Sequence, residues 1–524
     1  MSAQDGRYVV VFNGEVYNYQ ALWKRHGTHL GTLRSGTDTE VVLRLYADQG
    51  PGVLRHLRGM YALAIWDGAQ RELFMARDPF GMKPLYYADD GRTVRFASQV
   101  QALLAGGECD TAPEPAGHAG FFLWGFVPEP YTMFRGIRAV PAGSWVTVRP
   151  NGVDGPHRSV TIRELFAGAG PVPPRPAQPP VAAALRDTVR HHLVADVDVG
   201  VFLSGGIDSA TIATAATELG SALTSVSLGV AERRGGPLDE TPIAEEVARR
   251  LGTDHHTVWF GQRDFEAARR SVLSAMDQPT TDGVNTYLVS SAAASVGLKT
   301  VMSGIGADEL YGSYPGFGWV RRIAQAPGRL PVPPAAGRLV RRALVPVLGK
   351  GRLSKAAGLL EHGTDLPGAY LLRRGLFMPW ELPGLIGRDL AEAGWAALHE
   401  LSPLRDAIDG VRPNLRVPSL EVSWYLRGQL LRDADWASMA HSLEVRLPLV
   451  DAAFYRAVLP SLRPDTAKTD LALAPRRPVP RSVLAPSKLG FTVPLREWAG
   501  VTEYRGLRGW ARHVYRRYLQ KTAG

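Results

Sequence analysis

One cysteine, Cys109, occurs in the 524 residues. That excludes an internal disulfide and any metal site built from thiolates. No stretch reaches 18 uninterrupted apolar residues, so no transmembrane helix is expected. The opening, MSAQDGRYVVVFNGE, is acidic where a signal peptide is basic and has no apolar core long enough for export. A cytoplasmic protein without a membrane partner is the expectation. Lysine is also scarce, at 8 of the 60 basic residues. The net charge of +10 is therefore carried by arginine, and beside abundant Ala, Gly and Pro it reads as the imprint of a GC-rich genome. Residues 321–355 hold nine basic side chains and no acidic one. Charge alone speaks to nonspecific association, so this stretch reads as a solvated basic face, and no nucleic-acid partner is expected.

What is present is ordinary globular composition, 45% hydrophobic and 21% charged, in a length that implies two to four domains. Residues 8–103 read as short β runs, YVVVF, MYALAIWD, ELFMARD and PLYYADD, with turn chemistry at NGE and helical spacing in TEVVLRLYADQ and VLRHL. Strands follow at MFRGIRAVP and SWVTVRP. Six prolines in residues 167–180 permit neither a helix nor a central strand and mark a boundary. Three expectations follow: a domain over 1–166, a Pro-rich linker over 167–180, and a second domain over 181–524. In the second, apolar strands VDVGVFL, SALTSVSLGV and LKTVMSG alternate with helices, which argues for a parallel sheet covered on both faces. Beyond 318 a mostly helical continuation is expected.

The strongest motif is VFLSGGIDSA. Gly205 and Gly206 let the backbone approach a phosphate, Ser204 and Ser209 offer hydroxyls, and the following helix points its positive end at the anion. There is no P-loop lysine; Asp208 stands inside the loop instead. Such a loop suits a pyrophosphate that leaves as one unit with Mg²⁺ on the carboxylate. A second glycine turn, from Ser303 and Gly304 to Asp308 and Glu309, follows the third strand. Ligands of an open parallel sheet lie outside the carboxyl ends of its strands, so both turns can face one crevice and Asp208 and Asp308 can share the metal. A helix N-cap is the competing reading of Asp308. In a lysine-poor chain, Lys488 in PSKLGF and Lys468 in TAKTDL stand out. A compact ammonium suits an α-phosphate or an acyl-adenylate carbonyl. Lys488 is read in that role and Lys468 as a surface residue.

SGGIDS, SGIGADELYGSY, LLRDADWASMAHSLEVRLPLVD and SKLGFTVPLREW, in this order, resemble the synthetase domain of glutamine-dependent asparagine synthetases. FNGEVYNYQAL, SGTDTE, RGMYALAIWD and ARDPFGMKPLYY resemble their glutaminase domain. The resemblance spans nearly the whole chain. It implies an α/β protein with an N-terminal antiparallel α/β/β/α glutaminase-like domain of the Ntn type, incomplete at its start. A parallel-sheet ATP-pyrophosphatase domain with a helical extension would follow. It also implies ATP and Mg²⁺ as cofactors, and an acceptor carboxylate that is adenylated before ammonia displaces AMP. Asn13 and Gly14 would form an oxyanion hole, and Glu15 and Asp38 would hold glutamine's amino end. Read without the family, Asn-Gly is a hairpin turn and Asp38 a helix N-cap. Phe202, Leu203 and Leu228 match adenine-pocket positions, and Lys488 falls where the family places a lysine against the adenylate. A homodimer is compatible with this reading.

Three features depart from the family. Its glutaminase uses a cysteine as the first processed residue, whose α-amine acts as base; here residue 2 is Ser2, and Cys109 lies mid-chain in GGECD. Either the start is misassigned or nitrogen comes from elsewhere. An exposed β edge left by missing first strands favours the former. At Ile305 the family commonly has a glutamate, and at Trp436 often an arginine; bulk replaces charge near the expected acceptor. That favours a larger or less charged acceptor than aspartate. The alternative in the same fold is an intramolecular amide former resembling β-lactam synthetase or a lasso-peptide cyclase. Retention of Asn13, Glu15 and Asp38 argues against it.

Overall fold

The computed structural model describes residues 1–3, 6–172, 180–314, 316–325, 334–348, 352–484, 493–498 and 506–522. The first half is built on an antiparallel sheet of order β1-β2-β3-β4-β8-β9: β1 (Ser2–Ala3), β2 (Tyr8–Val16), β3 (Gly59–Asp67), β4 (Glu72–Arg77), β8 (Ser144–Arg149) and β9 (Gly152–Arg158). A smaller sheet has the order β6-β5-β7, from β5 (Tyr86–Asp89), β6 (Val94–Ala97) and β7 (Ile137–Ala139). Alternation of side chains along β2 and β3 gives the large sheet two apolar faces. On one, Val10, Leu63 and Ile65 meet Val41, Val42 and Leu45 of the helix Asp38–Gln49. On the other, Ala62, Ala64 and Met75 meet Tyr87 and Phe96 of the small sheet. β1 reaches only Tyr8 and Val9 of β2, and the neighbouring side chains of Val9 and Val11 are exposed.

The second half carries a five-stranded sheet of order β12-β11-β10-β13-β14, with every neighbouring pair parallel. Its strands are β10 (Val199–Phe202), β11 (Thr224–Val230), β12 (Asp254–Phe260), β13 (Thr300–Met302) and β14 (Glu444–Arg446). β10, β11 and β13 are the three apolar runs of the sequence, and Val199, Val201, Val226, Val301 and Met302 are buried. β12 and β14 extend the expected sheet by one strand on each edge. Helices Ile207–Glu218 and Thr241–Leu251 pack beside one another, and Val284–Ser295 packs on Arg432–Met439. Among the described residues beyond 318 helices dominate, with β14 as the exception. The basic stretch is only partly a solvated face. Arg322, Arg338 and Arg342 are exposed, whereas Arg341 bonds Glu361 and stacks on Trp380 at 4.7 Å.

The two sheets share one apolar core, running from Tyr17, Met60 and Phe80 to Val201 and Met302. Ion pairs cross the same seam. Arg58 holds Asp187 at 2.6 Å and Asp451 at 2.8 Å, and Lys83 holds Asp435 at 3.1 Å. Among the described residues no helix is long and apolar enough to cross a membrane.

Candidate active site

The strand β10 ends at Phe202, and the turn Ser204-Gly205-Gly206 delivers the chain into the helix Ile207–Glu218. Two serines knot this turn. Ser209 Oγ accepts the Ser204 amide at 3.1 Å and meets Ser204 Oγ at 3.0 Å, while the Gly206 amide donates to Ser204 Oγ at 3.2 Å. The second turn follows β13. The Ser303 amide donates to the Arg446 carbonyl of β14 at 2.9 Å, which anchors it. Gly304 then crosses the first turn so closely that a Cβ there would lie 2.6 Å from Asp208 Cβ and 3.0 Å from the Ser209 amide nitrogen. Only glycine allows this approach without displacing main chain.

Both turns therefore open on one crevice, a cavity of 380 Å³. Phe202, Leu203 and Leu228 are among its apolar lining, and Ser204, Gly206, Ser209, Ser303 and Gly304 line it with polar groups and main chain. Gly205 stands just outside this wall and faces Glu240. Asp208 and Asp308 converge on one ammonium: Lys468 Nζ donates to Asp208 Oδ2 at 2.6 Å and to Asp308 Oδ1. Asp308 is not the N-cap of its helix; Gly306 holds that position, and Asp308 accepts from Ser313 Oγ at 2.6 Å. Lys468 corrects the sequence reading. It is buried, 8% exposed, and its carboxylate partners raise its affinity for the proton against the opposing effect of burial. Its scarcity in the sequence was the usable signal, but TAKTDL carries no apolar pattern that places it inside. Lys488 lies outside the described residues.

The cavity is also lined by Ile305, Tyr314, Tyr425, Leu430, Asp282, Asp433 and Glu309. Burial pushes Glu309 up to about 7; its Oε1 accepts from Tyr314 Oη at 2.5 Å. Asp433 is also pushed up to about 7, by burial first and by Asp282 second. Asp282 and Asp433 were not singled out in the sequence, although Asp433 sits in LLRDADWASMAHSLEVRLPLVD. Ile305 lines the cavity, but Trp436 does not. One turn after Asp433, its indole donates to Asp433 Oδ1 at 2.8 Å, and its ring lies so close to Gly283 that a Cβ there would be 2.5 Å away. Trp436 stands behind the wall and fixes Asp433.

The NGE segment is placed differently from a hairpin. β2 runs through Asn13, Gly14 and Glu15, paired with Ala62, Tyr61 and Met60 of β3. Gly14 has φ +132° and no room for a Cβ, which would lie 2.0 Å from the Met60 carbonyl. Asn13 Nδ2 donates to Ser98 Oγ at 3.2 Å. Thr37, not Asp38, caps the following helix; Asp38 Oδ2 accepts the Val16 amide at 2.9 Å and so ties helix to strand. Glu15 lies 3.7 Å from Arg446 of β14, and burial with Glu444 raises its carboxyl to about 7. Cys109 is not an activated thiol: Arg95 favours its thiolate, but burial outweighs this. Its Sγ points at the Leu103 carbonyl, and burial pushes its pKa up.

Known proteins share this arrangement in sequence. The asparagine synthase family profile matches residues 180–522, and a glutamine amidotransferase domain profile matches residues 1–158. Asparagine synthetase [glutamine-hydrolyzing] 1 of Bacillus subtilis is 30% identical over 523 residues, covering 95% of this chain and 78% of that one. Asparagine synthetase B [glutamine-hydrolyzing] of Escherichia coli is 31% identical over 330 residues, covering 59% of this chain and 53% of its own. With an antiparallel sheet, a parallel sheet and two glycine turns in the family's order, this chain belongs to the asparagine synthase family of carbon–nitrogen ligases, which form amides at the expense of ATP.

Proposed function

We propose that the crevice adenylates the carboxylate of an acceptor acid, aspartate or a larger specialised-metabolite acid, and that ammonia from glutamine or solution then completes the amide. A carboxylate oxygen attacks the α-phosphorus, the Pα–O–Pβ bond breaks and pyrophosphate leaves. Ammonia next attacks the acyl carbon, the C–O bond to AMP breaks, and the nitrogen gives up a proton. The observation that carries this reading is the convergence of Asp208 and Asp308, from two glycine turns, on one cation position. Phe202, Leu203 and Leu228 would receive the adenine, while Ser204, Gly205, Gly206, Ser209, Ser303 and Gly304 would hold the phosphates. Among the described residues no group of three or more metal-ligating side chains occurs. An all-oxygen pair completed by phosphate oxygens fits Mg²⁺. Asp208 and Asp308 would hold it, and when bound it supplies charge neutralisation on the departing pyrophosphate.

Lys488 would act on the adenylate. Asn13, Gly14, Glu15 and Asp38 would bind glutamine, and their presence favours this reading over intramolecular ring closure. The test is acceptor-dependent exchange of labelled pyrophosphate into ATP. Asp208→Asn or Asp308→Asn should each lower it about a hundredfold, since a charged ligand is lost. Formation of ADP and phosphate in place of AMP and pyrophosphate would overturn the assignment.

A further inference from the structure

The part of the crevice beyond the phosphate-binding turns has a charge problem. Its walls bring Asp282 and Asp433 together, and no lysine, arginine or histidine lines the cavity among the described residues. The cations that stand nearby are engaged elsewhere. Lys468 is held between Asp208 and Asp308 at the phosphate end. Arg374 is gripped by both oxygens of Glu421 and lies 3.7 Å over the ring of Tyr425, itself a wall residue. Arg432 turns one nitrogen to the Val127 carbonyl at 2.9 Å.

Asp433 is also held in place. It is 2% exposed; Thr280 Oγ1 donates to its Oδ2 at 2.9 Å and the Trp436 indole to its Oδ1 at 2.8 Å. These two bonds fix the carboxylate and leave further lone pairs on both oxygens, since an ionised carboxyl offers about four acceptor positions. Asp282 Oδ1 takes the Gly283 amide at 3.0 Å. A second carboxylate on the acceptor would enter a cavity already lined by the carboxyls of Asp282, Asp433 and Glu309, with Ile305 and Leu430 among its apolar lining. A protonated nitrogen would instead gain charge-assisted hydrogen bonds in a shielded site. Burial raises both carboxyls, and Asp282 raises Asp433 further; Arg374 and Arg432 offset this only in part.

We infer that the acceptor is a carboxylic acid bearing a cationic nitrogen and no second carboxylate, with Asp433 and Asp282 receiving that nitrogen. This rests on the reading of the crevice as a carboxylate-activating site and narrows it to a substrate class. Trp436 is the positioning residue, acting through Asp433, and Ile305 adds no charge to the lining.

The test uses the full chain with Mg²⁺ and a non-hydrolysable ATP analogue. Binding is measured by calorimetry for two matched pairs of acids, 4-aminobutanoate against succinate and 6-aminohexanoate against adipate. In at least one pair the amino acid should bind about tenfold or more tightly than the diacid, the effect of one charge-assisted bond. Asp433→Asn should erase that preference, and Asp282→Asn provides a second variant should the first not fold. Ile305→Lys, which puts an ammonium on the wall, should shift the preference toward the diacid by about tenfold. Tighter binding of the diacids, equal binding within both pairs, or no binding of either amino acid overturns the inference. Pyrophosphate exchange with the same acids separates the two levels. Exchange with reversed selectivity sinks the substrate class alone, whereas selective binding without exchange sinks the activation chemistry alone.

Discussion

Lys468→Met tests whether the buried ammonium is the counter-ion that lets Asp208 and Asp308 share one crevice. The substitution keeps the length of the side chain and removes its charge. Two carboxylates that the fold holds against one cation are left facing each other. Removing one partner of a buried ion pair costs about 3–5 kcal/mol. Here the side chain of Asp208 is 16% exposed and that of Asp308 31%, so water relieves part of the charge. The low end, about 3 kcal/mol, is expected. At about 2 °C per kcal/mol for a large domain, the melting temperature in EDTA should fall by about 6 °C. Millimolar Mg²⁺ without nucleotide should restore much of the loss in the variant and add little to the parent. The double variant Lys468→Met/Asp308→Asn should be more stable in EDTA than Lys468→Met alone, because it deletes the repulsion. Parent-like melting of Lys468→Met in EDTA, or a double variant less stable than the single, would refute the reasoning.

Gly304→Ala should depress pyrophosphate exchange and stability together, the latter by about 1–3 kcal/mol, because its methyl would meet Asp208 and the Ser209 amide; urea unfolding read beside exchange checks this. Glu15, raised to about 7 in the fold against an ordinary value of about 4.3, should cost stability as pH rises from about 4.5 through 7. Glu15→Gln should therefore melt higher than the parent at pH 8 and alike below pH 4.5, with a difference of about 1 kcal/mol given that the side chain is 39% exposed. Lys488→Arg should lose turnover nearly as severely as Lys488→Ala, by about 2.7–4 kcal/mol in transition-state stabilisation, with little change in melting; a variant that retains its rate returns Lys488 to the surface.

The core of the parallel sheet was legible because β10, β11 and β13 are continuous apolar runs that end in glycine turns. β12 escaped notice because it opens on Asp254-His255-His256 and lies at an edge, half-buried along most of its length. β14 has three residues, too few for any period to show. Asn13-Gly14 reads locally as a turn, and strand pairing to β3 overrides that preference, with Gly14 chosen for its clearance from Met60. Asp208 and Asp308 could be paired from sequence because each follows a strand of one sheet. Lys468 could not, because its partners are 260 and 160 residues away and nothing local announces its burial. Trp436 was aligned to the acceptor by its place in the chain, whereas its side chain acts from behind the wall.

The seam between the two sheets has a consequence for how this polypeptide could be divided. Apolar packing from Phe80 to Met302, Arg58 on Asp187 and Asp451, and Lys83 on Asp435 together resemble the contact surface of an obligate heterodimer more than that of two beads on a string. The covalent junction then serves mainly to raise the effective concentration of one half beside the other. Severing the peptide chain there should leave the halves associated through these contacts.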